Sequence, residues 1–360
     1  MPIRILRAET YPILIGEDIF DEIQVHLREP ERKDSKFILM VDENTRNLCL
    51  PLLLEKLEQF RECTVIEIPS GEDRKNIQTC VEIWQNLIDL KADKDSVLVN
   101  IGGGVLTDIA GFIAATYKRG IRYINFPTTL VGQIDAAFGG KVGVNLSDLK
   151  NQIGVFANPD AVCIYTPFLK TLSARDKLSG FAEVVKYALI MDQHFWKLLR
   201  NVNFVQIKFW DDIIYRSVEI KNRIVKNDPL DKRLRKRLNF GHTLGHAFET
   251  IALQRKDKSM THGSGVAMGI ICETFLSCKM KGLSWEILEE IASYILQNFP
   301  YYTLEDDDVD KILEILVHDK KNSGDQINFT LIPSLGHALI DQYCEPEDIL
   351  SCLQFYRELD

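Results

Sequence analysis

The stretch VLVNIGGGVLTDIAGF, residues 97–112, predicts a strand, a tight glycine turn and a helix, and with them an α/β domain built on a parallel sheet. Its first run is continuously apolar, as is typical of a strand covered on both faces. Gly103 and Gly104 allow a phosphate to approach the backbone, and the start of the following helix offers N–H donors. Thr107 stands where the pattern G-x-G-x-x-G has its third glycine, so a tight turn without a ligand is an equal alternative.

Strand and helix patterns alternate on both sides of this stretch. The predicted strands span residues 3–7, 11–15, 36–41, 64–69, 96–101, 123–127 and 161–165. The predicted helices between them include residues 76–90 and 107–115. Residues 1–172 are therefore expected to form a Rossmann-like α/β domain with a parallel sheet.

After residue 172 the apolar spacing is mainly that of helices. The predicted helices span residues 179–190, 213–227, 235–250, 266–281, 285–297 and 308–317. One hairpin, residues 326–332 with 338–340, interrupts them. We expect residues 173–360 to form a second, mainly α-helical domain.

Composition and charge argue against two classes of protein. The 360-residue chain has 46% hydrophobic and 26% charged residues, which is ordinary for a globular protein, and its length favours two domains. A formal net charge of −9 argues against a general nucleic-acid binder and against a membrane-surface protein. The eight cysteines include no C-x-x-C pair and are expected to be free thiols in a reducing compartment, so we expect a cytoplasmic protein.

Two further loops lie where predicted strands end, and they favour a bound dinucleotide. Asp42, Glu43 and Asn44 follow the strand at 36–41, where an acidic side chain is suited to a ribose hydroxyl. The segment SGEDRK, residues 70–75, follows the next strand and supplies a turn with cations. Charged loops after strands are common, so each loop is weak evidence alone. Together with the glycine turn, at the carboxyl ends of strands in one sheet, they favour NAD.

Two segments rich in small residues predict a loop shaped around an anion. They are PTTLVGQIDAAFGGKVGVN, residues 127–145, and KNQIGVF, residues 150–156. Their polar side chains include Thr128, Thr129, Asp135, Lys141, Lys150 and Asn151. Glycines lie on both sides of Lys141 and free the backbone to curve around a ligand. A solvated loop is the alternative, although the apolar residues around Asp135 argue against full exposure.

The segment RKRLNFGHTLGHAFE, residues 235–249, predicts the chemistry of the second domain. If it is one helix, Arg235, Asn239, His242 and His246 lie at i, i+4, i+7 and i+11 and form a single stripe. A polar stripe on a helix that is otherwise suited to burial requires a polar neighbour, such as a metal ion, an anionic substrate, or both.

Glu183 and Lys186 lie three residues apart in the mostly apolar helix pattern SGFAEVVKYALI. Burial of two ionisable side chains is costly without partners, so an intrahelical ion pair is one interpretation. The other is that Glu183 joins His242 and His262 in a three-ligand zinc site with an open fourth position. The sequence has no H-E-x-x-H motif, so metalloprotease chemistry is not supported.

These segments, in this order, resemble 3-dehydroquinate synthase and, more widely, the sugar phosphate cyclase family. The resemblance extends from about Asp42 to Leu331. It rests on the motifs GGGVLTDIAGF, PTTL, DAAFGGKVGVN, KNQIGVF, FLKTL, GFAEVVK, RLNFGHTLGHAFE, HG and HDKKNSG. The chain departs from the family at Val142, where threonine is commoner, and at Ser264-Gly265, where Glu-Ala is more usual.

The resemblance implies a role for each residue of a larger set. The implied metal ligands, for one zinc or cobalt ion, are Glu183, His242 and His262. The implied NAD-binding residues are Asp42, Asn44, Ser70, Gly71, Glu72, Lys75, Gly103, Gly104, Val105, Asp108, Thr128, Thr129, Lys141, Lys150, Phe168 and Thr171. The implied substrate-binding residues are Asp135, Lys141, Asn151, Lys186, Lys221, Arg235, Asn239 and His246, with one lysine of 320–321. Arg119 is implied to reach the site of a neighbouring subunit in a homodimer.

The resemblance further implies the conversion of 3-deoxy-D-arabino-heptulosonate 7-phosphate into 3-dehydroquinate and phosphate, in the shikimate pathway. There a transient NAD-dependent oxidation precedes phosphate elimination, return of the hydride and an intramolecular aldol closure. A metal-dependent NAD dehydrogenase of the glycerol dehydrogenase type is the alternative from another class, and it would release NADH. A cyclase that acts on another sugar phosphate is the second alternative, although the presence of both Lys221 and Arg235 favours a substrate with a carboxylate.

Overall fold

The computed structural model of the chain describes residues 3–29, 35–147, 149–255, 260–317 and 327–359. The chain forms two compact units. Unit 1 comprises Met1–Ser173 and Trp210–Leu230, and unit 2 comprises Ala174–Phe209 and Asp231–Asp360. The segment Trp210–Leu230 lies in unit 1, although its helical pattern had placed it with the second domain. Helical periodicity shows which face of a segment is buried, but it does not show which neighbours bury that face.

Unit 1 is built on a seven-stranded sheet in the order β1-β2-β9-β6-β5-β3-β4. Its strands are β1 (Arg4–Arg7), β2 (Pro12–Gly16), β3 (Phe37–Asp42), β4 (Thr64–Ile68), β5 (Val97–Gly102), β6 (Arg122–Pro127) and β9 (Ala161–Tyr165). All neighbouring strands pair in parallel except β1, which pairs antiparallel with β2. The predicted parallel α/β sheet is therefore confirmed.

Unit 1 contains six α-helices among its described residues, five between strands of the sheet and one, α8, that follows them in the chain. They are α1 (Phe20–Leu27), α2 (Glu43–Leu48), α3 (Leu50–Lys56), α4 (Ile77–Asp89), α5 (Gly104–Thr116) and α8 (Trp210–Asn227). From β3 the chain passes to β4 on one side, and then returns to β5 on the other side of β3. Ligands of open α/β sheets bind at the carboxyl ends of strands where the order reverses in this way. In unit 1 those ends are Asp42 of β3 and Gly102 of β5.

Within the two segments predicted as an anion loop, the part that begins at Lys141 forms a hairpin. Its strands are β7 (Lys141–Leu146) and β8 (Leu149–Phe156), which pair antiparallel with Gly143 opposite Gly154. A side chain at Gly143 would place its Cβ 2.5 Å from the carbonyl oxygen of Ile153. The glycines therefore permit close approach of two strands. The amino-acid composition of such a hairpin does not differ from that of a flexible loop.

Unit 2 is mainly helical, which confirms the predicted fold class of this half. Its helices are α6 (Ala174–Met191), α7 (Gln193–Leu199), α9 (His242–Gln254), α10 (His262–Lys281), α11 (Trp285–Asn298), α12 (Asp306–Val317) and α13 (Pro346–Arg357). One antiparallel hairpin accompanies them, β10 (Ile327–Ser334) with β11 (His337–Cys344).

The expectation that residues 235–250 form one helix is wrong. A short 3-10 helix spans Leu234–Asn239, and α9 begins only at His242. Between them Gly241 has a φ of 78°, a left-handed conformation that interrupts a right-handed helix. The single stripe of Arg235, Asn239, His242 and His246 therefore does not exist, because the first two residues belong to a different element.

Helices α9 and α10 approach so closely that their contact excludes side chains. A Cβ on Gly269 of α10 would lie 2.0 Å from the carbonyl oxygen of Gly241. A Cβ on Gly245 of α9 would lie 3.0 Å from the carbonyl oxygen of Gly265. These glycines bring the first residues of α9 and α10, His242 and His262, into one region of unit 2.

Candidate active site

Three predicted metal ligands converge in unit 2. Glu183 lies in the middle of α6 and is fully buried, whereas His242 and His262 each begin a helix. The Nε2 atoms of His242 and His262 lie 3.2 Å and 3.4 Å from Oε1 of Glu183. All three ligand atoms lie within 4.8 Å of one another, so a single ion can be shared among them. Two imidazoles and one carboxylate are a donor set that zinc accepts in catalytic sites.

The second nitrogen of each imidazole contacts an acceptor that orients the ring. Nδ1 of His242 lies 3.2 Å from the carbonyl oxygen of Phe240. Nδ1 of His262 lies 2.7 Å from Oε1 of Glu249. Metal-bound histidines usually donate their other N–H to a carboxylate or a backbone carbonyl, which directs the free nitrogen toward the metal. Glu249 had no role in the sequence interpretation, although it is the last residue of the quoted motif HAFE.

The electrostatics of the cluster favour a cation. Burial raises the pKa of Glu183, but the charges of Lys186 and His242 outweigh it and hold that pKa well below its usual range. Burial lowers the pKa of His242, and the charge of Lys186 lowers it further. Burial also lowers the pKa of His262, yet Glu183 and Glu249 outweigh it and raise the pKa to about 10. A metal ion at Nε2 would take the place of this proton.

Neither carboxylate oxygen of Glu183 has a hydrogen bond of good geometry among the described residues. Lys186 forms an ion pair with Glu183, so the intrahelical pair suggested by the sequence exists together with the three-ligand cluster. Lys186 balances part of the charge of this buried carboxylate, and a cation shared with the two imidazoles would stabilise it further. The residues present therefore fit a divalent metal. The ligand atoms of His246, Glu249 and His262 also lie within 4.8 Å of one another, but Glu249 is already bonded to Nδ1 of His262.

The other predicted residues of this segment take different positions. His246 is exposed on α9, and its ring centroid lies 5.4 Å from that of His242 and 6.1 Å from that of His262. Asn239 lines a cavity of about 220 Å³. The other lining residues are Asp231, Lys236, Thr243, Asn328, Phe329, Thr330 and Asp341. Arg235 is buried in the 3-10 helix and does not line this cavity. Lys320 and Lys321 lie outside the described residues.

In unit 1 the glycine turn lies at the reversal of strand order. Gly103 is the N-terminal cap of α5 and Gly104 its first residue, followed by Val105. A Cβ on Gly103 would lie 2.9 Å from Cγ2 of Thr129, and one on Gly104 would lie 3.0 Å from Cβ of Ala136. The glycines are thus needed for packing, and α5 also begins without a side-chain cap. Its first N–H groups remain suited to a phosphate, so both interpretations of this turn apply.

The acidic end of β3 and the loop after β4 are joined. Oδ1 of Asp42 accepts hydrogen bonds from the backbone N–H of Asn44 and of Thr45, at 2.9 Å and 2.8 Å, and so caps α2. Glu43 accepts hydrogen bonds from the N–H and the hydroxyl of Ser70, which lower the pKa of this carboxyl. Glu43 therefore holds the loop 70–75 beside the end of β3, a role that the sequence did not indicate.

Lys75 connects three predicted binding residues in unit 1. Its side chain is buried, and its Nζ lies 2.6 Å from Oδ2 of Asp108 and 2.6 Å from Oδ1 of Asn151. Burial raises the pKa of Asp108, and Lys75 offsets part of this increase. Asn151 has a φ of 53°, a strained conformation for a residue other than glycine. Asn145 holds it by accepting a hydrogen bond from the Asn151 N–H at 2.8 Å.

Replacing Lys75 by methionine is expected to destabilise the protein by about 1–3 kcal/mol near pH 8, because the Asp108 carboxylate loses its cation. The pKa of folded Asp108 lies above its unfolded value, and loss of Lys75 raises it further. Protonation at low pH removes the cost, so the difference from wild type should decrease from pH 8 to pH 5. Urea unfolding at both pH values measures this. Lys94→Met, at an exposed lysine, is the control, and a deficit independent of pH would contradict the assignment.

Lys221 and Asp135 form a second ion pair in unit 1. Nζ of Lys221 lies 2.6 Å from Oδ1 of Asp135 and 4.8 Å from the ring centroid of Phe138. Asp135 lies in a short π-helix, Gly132–Ala136. Helix α8 therefore contributes Lys221 to unit 1, whereas the sequence had placed this lysine in the second domain.

Two buried asparagines hold the end of the π-helix and were missed in the sequence. Asn125 of β6 donates a hydrogen bond to the carbonyl oxygen of Ala137 at 2.8 Å, and Asn100 of β5 donates one to Asn125 at 2.9 Å. The two asparagines are opposite each other in the parallel pairing of β5 with β6. The signal available in the sequence was one asparagine in each of two mostly apolar strands.

The remaining predicted residues of unit 1 differ in their exposure. Phe168 is fully buried, and its ring packs at 5.1 Å against Tyr165, so its side chain belongs to the core. The hydroxyl of Thr171 donates a hydrogen bond to the Phe168 carbonyl oxygen at 2.8 Å. Thr128 is buried, while Gly71, Glu72, Lys141 and Lys150 are exposed.

Arg119 lies in a strained turn. Lys118, Arg119 and Gly120 have φ values of 49°, 71° and 116°, so three consecutive residues are in the left-handed region. For two residues other than glycine this costs of order 1–3 kcal/mol each. Arg119 is exposed at this turn. Strain of this kind is more often retained at functional sites than elsewhere.

The described residues also show the state of the cysteines and the length of the apolar helices. All eight cysteines are free thiols, as expected, and seven of them are buried. Within the described residues no helix is both long and apolar enough to cross a membrane.

The solved structures that resemble this chain include two synthases that share its fold. A 2-deoxy-scyllo-inosose synthase, solved with carbaglucose-6-phosphate, NAD+ and Co2+, has a TM-score of 0.86 at 21% identity, and the alignment covers 99% of both chains. A 2-epi-5-epi-valiolone synthase from Streptomyces hygroscopicus subsp. jinggangensis, with NAD+ and Zn2+ bound, has a TM-score of 0.83 at 23% identity and covers 100% of both. At these identities the likeness establishes the fold alone.

Sequence similarity then specifies the family. The family described as 3-dehydroquinate synthase N-terminal matches residues 65–179, and 3-dehydroquinate synthase C-terminal matches residues 180–322. The 3-dehydroquinate synthase of Parabacteroides distasonis is 40% identical over 348 residues, which are 96% of this chain and 98% of the relative. The chain belongs to the 3-dehydroquinate synthase family.

Proposed function

We propose that this chain is an enzyme that converts 3-deoxy-D-arabino-heptulosonate 7-phosphate into 3-dehydroquinate and phosphate, with NAD+ and one zinc or cobalt ion. The observation that carries the proposal is the cluster of Glu183, His242 and His262, in a chain that matches 3-dehydroquinate synthases over nearly its whole length. The expected location in the cytoplasm stays a prediction.

The donor set of unit 2 supports the metal. Glu183, His242 and His262 would hold it, and Glu249 and the Phe240 carbonyl would orient the two imidazoles. Three protein ligands leave room for a substrate oxygen, as in other catalytic zinc sites. The same donor set accepts cobalt, so these residues do not discriminate between the two ions.

The turn of unit 1 supports NAD+. The N-terminus of α5 at Gly103 and Gly104 would bind the pyrophosphate through backbone N–H groups. Asp42 and the loop 70–75 lie at neighbouring strand ends of the same sheet and would contact the nucleoside. Phe168 would contribute only through its backbone, since its side chain is in the core.

A bound metal would supply polarisation of a substrate oxygen, and bound NAD+ would supply reversible acceptance of a hydride. The side chains of the chain itself bind and orient the substrate. Lys221 and Arg235 are both buried cations, which are suited to the carboxylate and phosphate of this substrate. Lys141, Asn151, Asn239 and His246 would hold its hydroxyl groups, and Lys186 would balance the charge of Glu183. Within the described residues we assign no serine or cysteine as a nucleophile.

The experiment that tests this function follows phosphate and NADH together. The zinc-loaded protein is mixed with the heptulosonate phosphate and NAD+ far below the substrate concentration. Phosphate release in many-fold excess over NAD+, without net NADH, is expected for the cyclase. Net NADH without phosphate would instead establish a dehydrogenase of the glycerol dehydrogenase type. If neither phosphate nor net NADH is formed, the substrate assignment would be overturned, and a cyclase for another sugar phosphate would be favoured.

The proposed homodimer provides a test of Arg119. If Arg119 completes the site of the partner subunit, Arg119→Ala and His242→Ala should each be inactive alone. Mixed dimers of the two variants would then contain one intact site, so activity should return to up to about one quarter of the wild-type value. Activity is measured after the variants are unfolded together and refolded, with each variant refolded alone as the control. Absence of any recovery, with mixed dimers demonstrated, would place Arg119 in its own subunit's chemistry.

A further inference from the structure

Glu273 is a buried carboxylate that the proposed function does not use. It lies in α10, eight residues after Gly265 and four after Gly269, so it continues the glycine row of α10 that packs against α9. Its side chain is fully buried. A buried carboxylate is destabilising unless strong donors surround it, so its partners indicate its purpose.

The partners of Glu273 are the first N–H groups of α9. Oε2 accepts a hydrogen bond from the Gly241 N–H at 2.6 Å, and Oε1 accepts one from the Leu244 N–H at 3.2 Å. Helix starts usually satisfy such groups with a serine, threonine, aspartate or asparagine at the capping position. Here that position is Gly241, which has no side chain, and Glu273 supplies the missing carboxylate from another helix.

The two N–H groups that Glu273 binds lie on either side of His242 in the chain. Gly241 precedes His242, and Leu244 is two residues beyond it. The two hydrogen bonds therefore hold the turn of backbone from which the imidazole projects toward Glu183. The backbone of Gly241 is further confined because Gly269 lies against its carbonyl oxygen.

We infer that Glu273 is a positioning residue for the metal site: its carboxylate caps α9 and fixes the direction of the ligand His242. This inference depends on the proposed assignment of His242 as a ligand. It goes beyond that assignment because Glu273 touches neither the metal ligands nor any proposed substrate residue in the contacts described above. A carboxylate at this position also interacts favourably with the dipole of α9, since an anion stabilises a helix N-terminus.

The test compares metal affinity with stability in the full-length protein. Glu273→Gln retains the size of the side chain but places an NH2 group against one of the two N–H donors. Zinc affinity, measured by competition with a chromogenic chelator, is expected to fall about 10–100-fold, as for other residues that orient ligands. The visible spectrum of the cobalt-loaded variant is expected to change as well, because the ligand geometry changes.

Ser277→Ala is the matched control. Ser277 lies one turn further along α10, is buried, and accepts a hydrogen bond from the Ile332 N–H at 3.0 Å rather than from α9. The control should lose stability but keep zinc affinity within about threefold of wild type, well below the loss expected for a ligand-orienting residue. Equal affinity losses in the two variants, or none in Glu273→Gln, would overturn the positioning role.

Two further variants keep the test decisive. His242→Ala must lose zinc, and if it does not, the ligand assignment fails rather than the role of Glu273. If Glu273→Gln does not fold, Glu273→Asp retains the charge with a shorter reach, and an intermediate loss of affinity is expected. If neither variant folds while Ser277→Ala does, Glu273 serves the stability of unit 2 and the inference is overturned.

Discussion

Replacing His242 by alanine is expected to abolish metal binding and turnover together. The variant loses one of three ligands, so zinc affinity should fall by more than about 100-fold, beyond the loss typical of residues that only orient a ligand. Activity should fall about 1,000-fold or more, because a metal supplies several kcal/mol of transition-state stabilisation and each 1.4 kcal/mol is a factor of ten. Metal content is measured by mass spectrometry of the dialysed protein, and activity by phosphate release.

His194→Ala is the matched control for this variant. His194 is an exposed histidine on α7 of the same unit, outside the metal cluster. It should retain one metal ion per chain and wild-type activity. Normal metal content in His242→Ala would refute the ligand assignment. Loss of metal in both variants would show that the effect does not depend on the cluster.

Replacing Gly269 by alanine is expected to destabilise the protein strongly. Alanine favours a helix by about 1 kcal/mol over glycine, so an exposed site would be stabilised. At this position the new Cβ would lie 2.0 Å from the Gly241 carbonyl oxygen and 2.7 Å from the Gly245 nitrogen. Both contacts are with backbone atoms, so they can be relieved only if α9 and α10 move apart. We expect a loss of about 3 kcal/mol or more in the free energy of unfolding, at the upper end for overpacked sites.

The same substitution should weaken zinc binding although it touches no ligand, since His242 and His262 begin the two helices that it separates. Gly282→Ala, at the end of α10, is the control. Its Cβ would meet nothing within 4 Å, and only its φ of 75° disfavours alanine, at a cost of about 1–2 kcal/mol. Urea unfolding and chelator competition measure both properties. Similar stability in the two variants would refute the proposed backbone contact.

Much of unit 1 follows from local pattern, because strands covered on both faces are continuously apolar. The strand predicted at 161–165 is observed as Ala161–Tyr165, and that at 123–127 as Arg122–Pro127. The hairpin of β7 and β8 was missed, because glycines that allow two backbones to meet have the composition of a flexible loop. The family motifs then placed each proposed ligand on a numbered residue, which periodicity alone does not do.

Residues 235–246 do not form the single predicted helix, yet two of the four residues of the predicted stripe lie together on α9. The stripe assumed one helix, but the 3-10 helix ends at Asn239, and Gly241 is the N-terminal cap of α9. His242 and His246 remain neighbours because they lie one turn apart within α9. Arg235 and Asn239 belong to another element, and helical spacing cannot relate them to the histidines.

The sequence by itself determined the fold class, the family and the chemical types of the proposed site, since these depend on residue identity and local spacing. It did not determine which groups support the ligands. Glu249 bonds to His262 across 13 positions, Glu273 caps α9 from 32 positions beyond Gly241, and Lys221 pairs with Asp135 across 86 positions. Such contacts depend on how helices and strands pack, and packing between distant segments leaves no periodic signal in the chain. Only the tertiary structure shows that these buried charges have partners.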